Sequence, residues 1–228
     1  MARSLLTGGS VLGPGPREVP GAIRSSPPAA PTPYPVSHLA MLRNRLKMAA
    51  SLAFTKGDSG PTMPNHEFLL NEFAAHATSS EGVKPFMQHM AQRLHEELAR
   101  YNWVGFYFME APASEGLVLG PYVGSFMPLV RIPLNKGLCG ACATSQQTVC
   151  VNNVASDPRY IGGDMVKSNM VVPIFAKKRM VAELCIESYF ANTFDMAEQK
   201  FAESCAALVG RCLEKEAVGV VKNASASR

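Results

Sequence analysis

The sequence predicts an α+β fold in which an antiparallel six-stranded sheet has helices packed mainly on one side. The elements read as helix, helix, three strands, short helix, three strands and helix, without the regular alternation of strand and long helix that a parallel sheet requires. Hydrophobic residues make up 47% of the 228 residues, enough to bury a sizeable core.

Three regions differ in composition. Residues 1–64 hold ten of the 17 prolines and little periodicity, so we expect them to be disordered. They are either an over-extended start, with synthesis beginning at Met41, Met48 or Met63, or an Arg-bearing targeting segment. The folded domain is expected over 65–216, and the tail over 217–228 is expected to fray.

The charge distribution argues against nucleic acid as a partner. The formal net charge of +4 comes from the first 57 residues, which carry +6, whereas the remainder carries −2. No run of 18 apolar residues suggests a membrane span. The six cysteines do not have the dense spacing of a secreted disulfide scaffold, so we expect a cytoplasmic protein.

Two helices are predicted before the first strand. Phe68 to Phe73 suggest a short helix that is broken near Ser79. Apolar residues then repeat at helical spacing over 83–100, which gives a charged helix with one apolar stripe. Together with the last helix, this stripe predicts a homodimer seam.

The strand over 102–109 alternates between two faces. Trp103, Gly105, Tyr107 and Met109 fall on one face, and the phenylalanines fall on the other. Two aromatic rings with polar tips beside a glycine form either one wall of a ligand pocket or an ordinary sheet face.

The remaining elements follow from turn signals and periodicity. Strands are predicted at 117–119, with a break at Gly120-Pro121, and at 129–134; a short helix at about 140–147 and a strand at 149–151 come next. The residues 152–168 form a loop, and 170–175 and 180–186 form a hairpin that turns at 177–179. Asp195 and Glu198 have capping-box spacing at the start of the last helix.

Cys139 and Cys142 form a Cys-x-x-Cys pair at a predicted helix N-terminus. Free N–H groups there favour a thiolate, so we expect a lowered pKa for Cys139. The spacing also permits a disulfide, or Cys142 simply packs into the core. A four-cysteine zinc site needs a second pair, which is absent, so no metal site or other cofactor is predicted.

These motifs resemble the GAF fold and, within it, the free methionine-(R)-sulfoxide reductases, over roughly residues 65–216. The family pattern runs Arg-Ile-Pro, Gly-Val-Cys-Gly, His-Ile-Ala-Cys-Asp, Ser-Glu-Ile-Val-Val-Pro and Leu-Asp-Ile-Asp-Ser. The matching segments are Arg131-Ile-Pro, Gly137-Leu-Cys-Gly, Met170-Val-Val-Pro and Leu184-Cys-Ile-Glu-Ser.

The resemblance also shows where this chain departs from the family. Cys139 matches one family cysteine, while the other two fall on Leu129 and Gly163. Of the pocket acids, one becomes Asn169 and one becomes Cys185. The acid of the last motif survives as Glu187, Asp164 also matches, and the pocket aromatics match as Trp103 and Tyr107.

The resemblance implies a small-molecule pocket with Trp103, Tyr107, Asp164 and Glu187 as ligand-binding residues. One hypothesis is that the protein binds or senses free methionine sulfoxide or a similar compound. The alternative is a thiol-dependent free methionine-(R)-sulfoxide reductase that uses Cys139 with Cys142 or Cys185 and takes electrons from thioredoxin. A third is a mainly structural dimerisation module.

Overall fold

The computed structural model describes residues 66–110 and 116–226. Its helices are α1 (His66–Ser79), α2 (Val83–Glu97), α3 (Gly137–Ser145) and α4 (Met196–Ala226). Its strands are β1 (Trp103–Met109), β2 (Gly116–Gly124), β3 (Arg131–Pro133), β4 (Val149–Val151), β5 (Ser168–Ala176) and β6 (Arg179–Ser188). The expected disorder of residues 1–64 lies outside the described residues.

The six strands form one sheet in the order β3-β2-β1-β6-β5-β4, and every neighbouring pair is antiparallel. This confirms the predicted α+β class and the antiparallel sheet. The hairpin between β5 and β6 is also confirmed. Its turn residues, Lys177 and Lys178, both have positive φ (48° and 64°), as tight two-residue hairpin turns require.

The two faces of the sheet are covered differently. On one face, α1, α2 and α4 pack against Val104, Phe106, Leu184 and Ile186 in the main core. On the other face lies α3, with Trp103 and Tyr107 of β1 in a smaller apolar cluster. The alternation predicted for β1 is therefore confirmed, and it directs both aromatic rings to the face that only α3 covers.

Among the element boundaries that differ from the prediction are those of β2 and α3. Strand β2 continues through Gly120 and Pro121, where a break was expected, because the register between β1 and β2 shifts opposite that point. A proline tolerates such an irregularity since it has no N–H to donate. Helix α3 begins at Gly137 rather than near 140, which makes Cys139 its third residue.

The start of α4 follows the predicted capping signal. The Asp195 carboxylate accepts hydrogen bonds from the backbone N–H groups of Ala197 (2.8 Å) and Glu198 (2.9 Å). The helix continues beyond Glu216, after which the sequence analysis expects a frayed tail, to Ala226. No proline interrupts residues 217–226, so nothing in that segment forces the helix to stop.

Candidate functional site

A cavity of about 770 Å³ opens on the face of the sheet that carries α3. Its walls come from β1, β6 and the first turn of α3, and its rim comes from the segments 125–129 and 160–166. Most ligand pockets are apolar clefts of this size with a few polar groups. The cavity is lined by six of the seven predicted site residues: Trp103, Tyr107, Cys139, Asp164, Cys185 and Glu187.

Aromatic rings form one wall of the cavity. Trp103 stacks with Tyr122 and with Phe126, with ring centroids 5.8 and 5.9 Å apart. Its indole Nε1 is buried and has no hydrogen-bond partner. The Tyr107 hydroxyl donates to the backbone oxygen of Leu129 at 3.0 Å, which ties the wall to the rim.

Two glycines make room for the indole ring. A Cβ on Gly105 would lie 2.3 Å from a Trp103 ring atom, and a Cβ on Gly124 would lie 2.2 Å from another. Real Cβ atoms do not approach so closely, so the large flat ring can lie against the sheet only where side chains are absent.

An acid–amide pair lies beside Trp103 on the same face of the sheet, because Glu187 is the register partner of Trp103 and Asn169 is the register partner of Glu187. The Asn169 side-chain N–H donates to a Glu187 carboxylate oxygen at 3.0 Å, while the Asn169 carbonyl oxygen has no partner. Burial raises the pKa of Glu187 to about 7, against the Asn169 hydrogen bond. Glu187 is therefore about half ionised at neutral pH. Asp164 lies on the exposed rim.

Two thiols lie on the floor of the cavity. Cys139 of α3 and Cys185 of β6 are both buried and interact with each other through their side chains. All six cysteines are free thiols. Cys142, one helical turn after Cys139, is fully buried and does not line the cavity. The fold therefore brings Cys139 close to Cys185 at the surface of the cavity, although the two residues are 46 positions apart in the sequence.

The expectation of a lowered pKa for Cys139 is wrong. Its pKa is raised well above the ordinary value because of its interaction with Cys185, its burial and the nearby Glu183 carboxyl. The start of a helix favours a thiolate by about 1 kcal/mol at exposed positions, and these neighbours outweigh it. At neutral pH the Cys139 thiol is protonated.

Sequence reasoning missed Glu183. Its side chain is fully buried on β6, two residues before Cys185, and neither carboxylate oxygen makes a hydrogen bond of ordinary geometry. Burial raises its pKa to about 8, although the nearby thiols of Cys139 and Cys142 act in the opposite direction. The alternation of side chains along β6 could have identified it, because it places Glu183 on the same face of the strand as Cys185 and Glu187.

Two classes of site receive no support within the described segments. No group of three or more His, Cys, Asp or Glu residues there is arranged to hold a metal ion. None of the helices described is both long and apolar enough to cross a membrane.

Residues 84–213 match the GAF domain family. This chain belongs to that family. Its six-stranded antiparallel sheet is thus the GAF fold, and the predicted resemblance is confirmed.

Relatives connect this GAF domain to one group of enzymes. It is 33% identical over 117 residues to the free methionine-R-sulfoxide reductase of Escherichia coli, covering 50% of this chain and 68% of that protein. It is 28% identical over 156 residues to Protein YtsP of Bacillus subtilis, covering 68% and 94%. The solved structure of fRMsr of Staphylococcus aureus, in complex with substrate, is 28% identical with a TM-score of 0.62, covering 68% and 99%.

Two positions show how this GAF domain differs from the pattern of those reductases. Leu129 and Gly163, which the resemblance aligns with two family cysteines, both line the cavity. Leu129 is 52% exposed on one rim and Gly163 is exposed on the other. The two positions that the resemblance aligns with family cysteines thus lie on the rim, whereas Cys139 and Cys185 lie on the floor.

Proposed function

We propose that the cavity binds a small sulfur-containing amino acid, with free methionine sulfoxide as the principal candidate. The observation that carries this proposal is that the cavity places the Trp103 ring, suited to an apolar chain, beside the Asn169–Glu187 pair, suited to a charged group. A Glu187 carboxylate can pair with an ammonium group, and the unpartnered Asn169 oxygen can accept a hydrogen bond from it. The unpartnered Trp103 Nε1–H can donate to a sulfoxide or carboxylate oxygen.

Trp103 fluorescence tests this binding, because Trp103 is the only tryptophan. Titration with free methionine-(R)-sulfoxide should change its emission and saturate, and the S epimer, methionine and an uncharged sulfoxide serve as comparisons. An unchanged emission at millimolar ligand, confirmed by calorimetry without heat of binding, would refute the proposal.

The Cys139–Cys185 pair supports a second function, the reduction of the bound sulfoxide. Two thiols and one sulfoxide give one disulfide, one thioether and one water. The sulfur–oxygen bond breaks, a sulfur–sulfur bond forms, and the two thiol protons leave on the water oxygen. A dithiol of the thioredoxin type would then return the disulfide to thiols.

Single turnover separates reduction from binding alone. Fully reduced protein, without added thiol, should convert about one equivalent of the R sulfoxide to methionine and gain a Cys139–Cys185 disulfide in peptide mass spectrometry. Cys139→Ser and Cys185→Ser should each prevent the disulfide, while Cys142→Ser should leave it intact. Saturable binding with no methionine formed would restrict the protein to ligand binding.

A further inference from the structure

The carboxyl of Glu183 lies directly behind the two thiols of the cavity. It is fully buried under α3, outside the cavity lining, and both of its oxygens lack hydrogen bonds. An isolated carboxyl in such a place costs several kcal/mol of desolvation unless it is protonated. No hydrogen bond of this carboxyl stabilises the sheet, so the side chain calls for a chemical explanation.

Within the described residues, the side chains that interact with the Glu183 carboxyl are thiols, which are proton donors. Cys139 and Cys142 approach it from α3, and their thiols are the side chains that interact with its carboxyl. Cys185 follows it on β6, Tyr107 is its register partner on β1, and Pro173 is its register partner on β5. The pKa of Tyr107 is raised by burial and by the neighbouring acids and thiols, so its phenol stays protonated.

A thiol as strongly buried as Cys139 needs a proton acceptor before it can attack. Its raised pKa leaves few thiolates at neutral pH, and the thiolate is the nucleophile. Bulk water reaches the thiol poorly, since Cys139 is 8% exposed. Glu183 carries the carboxyl that interacts with the Cys139 thiol, and its pKa of about 8 is suited to proton exchange at working pH.

We propose that Glu183 accepts the proton of Cys139 as that sulfur attacks the bound ligand. The inference rests on the proposed thiol chemistry of the cavity and adds the group that moves its proton. The sulfur attacks the sulfoxide sulfur while the carboxylate becomes a carboxylic acid. Cys185 then displaces the thioether from Cys139 and the disulfide forms. The oxygen departs as water with the Cys185 proton and one solvent proton, and Glu183 later releases the proton that it accepted, so the net step uses the protons of both thiols.

The same proton transfer can be tested without a sulfoxide. Diamide oxidises a thiol pair to a disulfide and takes up both protons itself, so the rate of Cys139–Cys185 disulfide formation isolates the chemistry of the pair. In the wild-type protein, this rate should rise with pH about a midpoint near 8, where Glu183 ionises. Glu183→Gln keeps the shape of the side chain and removes the base, so the rate at pH 8 should fall roughly 10²-fold.

Two further variants make the result specific. Glu183→Asp keeps a carboxyl one methylene further from the sulfur and should recover part of the rate with its pH dependence. Glu81→Gln removes an exposed carboxyl and should react as the wild type does. Far-ultraviolet circular dichroism of each variant checks that the fold is retained.

A Glu183→Gln protein that reacts as fast as the wild type, or faster, would overturn the inference. A faster reaction would mean that the carboxylate only repels the thiolate, since removing a negative charge lowers a thiol pKa. Failure of methionine sulfoxide to bind or react would overturn the proposed function and leave the diamide result standing.

Discussion

The stability of the protein should depend on the ionisation of Glu183. Its ordinary pKa of 4.5 is raised to about 8 in the fold because the carboxyl is fully buried without a hydrogen bond. The folded state therefore binds this proton more tightly than the unfolded state does. The stability that the protonated group allows is complete below pH 4.5 and is lost as the pH rises towards 8.

The size of the effect follows from the interval between the two pKa values. Between pH 5 and pH 8 the carboxyl is ionised in the unfolded chain and protonated in the fold, and each pH unit in this interval removes about 1.4 kcal/mol. Because ionisation is incomplete at both ends of the interval, the loss over the three pH units is less than three full steps, about 3–4 kcal/mol. That is a large share of the 5–15 kcal/mol that typically stabilises a domain.

Urea unfolding of Glu183→Gln and wild-type protein at pH 5, 6, 7 and 8 measures this loss. At pH 5 their free energies of unfolding should differ by less than about 1 kcal/mol, because in the folded proteins both Glu183 and the glutamine that replaces it are uncharged. At pH 8 the variant should be more stable by about 3–4 kcal/mol. Glu187 titrates near 7 in both proteins, so its contribution cancels in the difference.

The control is Glu81→Gln, which removes an exposed carboxyl and should follow the wild-type pH dependence. A constant difference between Glu183→Gln and the wild type from pH 5 to 8 would refute the reasoning, because it would mean that the buried carboxyl keeps one charge state throughout. A variant that loses stability relative to the wild type as the pH rises would show that a cation stabilises the carboxylate.

Three further predictions follow from the cavity and the helices. If Glu187 pairs with an ammonium group, ligand affinity should rise about tenfold from pH 6 to pH 8, as a pKa of about 7 requires, and Glu187→Gln should abolish this dependence in calorimetric titrations. Gly105→Ala should destabilise the protein by about 1–3 kcal/mol in urea because its Cβ meets the Trp103 ring, whereas Gly163→Ala, with nothing within 4 Å, should not. Light scattering at micromolar concentration should give the mass of a dimer if α2 and the terminal helix form the expected seam, and a monomer mass would contradict it.

The fold was predictable because its signals are local and periodic. Alternation along β1 separates Trp103 and Tyr107 from Phe106, and the structure places the two sets on opposite faces. The boundaries were less predictable because they depend on pairing. Gly120-Pro121 has the composition of a turn, yet β2 passes through it where its register with β1 shifts.

The site was only partly predictable because it depends on distance in space. Cys139 could be singled out from its motif, but its proximity to Cys185 arises only when α3 packs on β6. The same packing buries Cys139 and so reverses the pKa shift expected from the start of a helix. Glu183 belongs to no sequence motif. Its importance becomes visible only in the fold, where the thiols of Cys139 and Cys142 interact with its carboxyl.

The placement of the thiols restricts how a disulfide can form in this chain. Cys185 lies on a strand that pairs with β1 at Gly105 and with β5 at Val171, so its backbone is held from both sides. Helix α3 is also held closely, since a Cβ on Gly140 would lie 2.5 Å from the carbonyl oxygen of Leu134. A disulfide needs its two Cα atoms within roughly 4.4–6.8 Å. Because both backbones are held in place, the disulfide must form by rotation of the two cysteine side chains. The exposed rim segments of the cavity then control which ligands reach the two sulfurs.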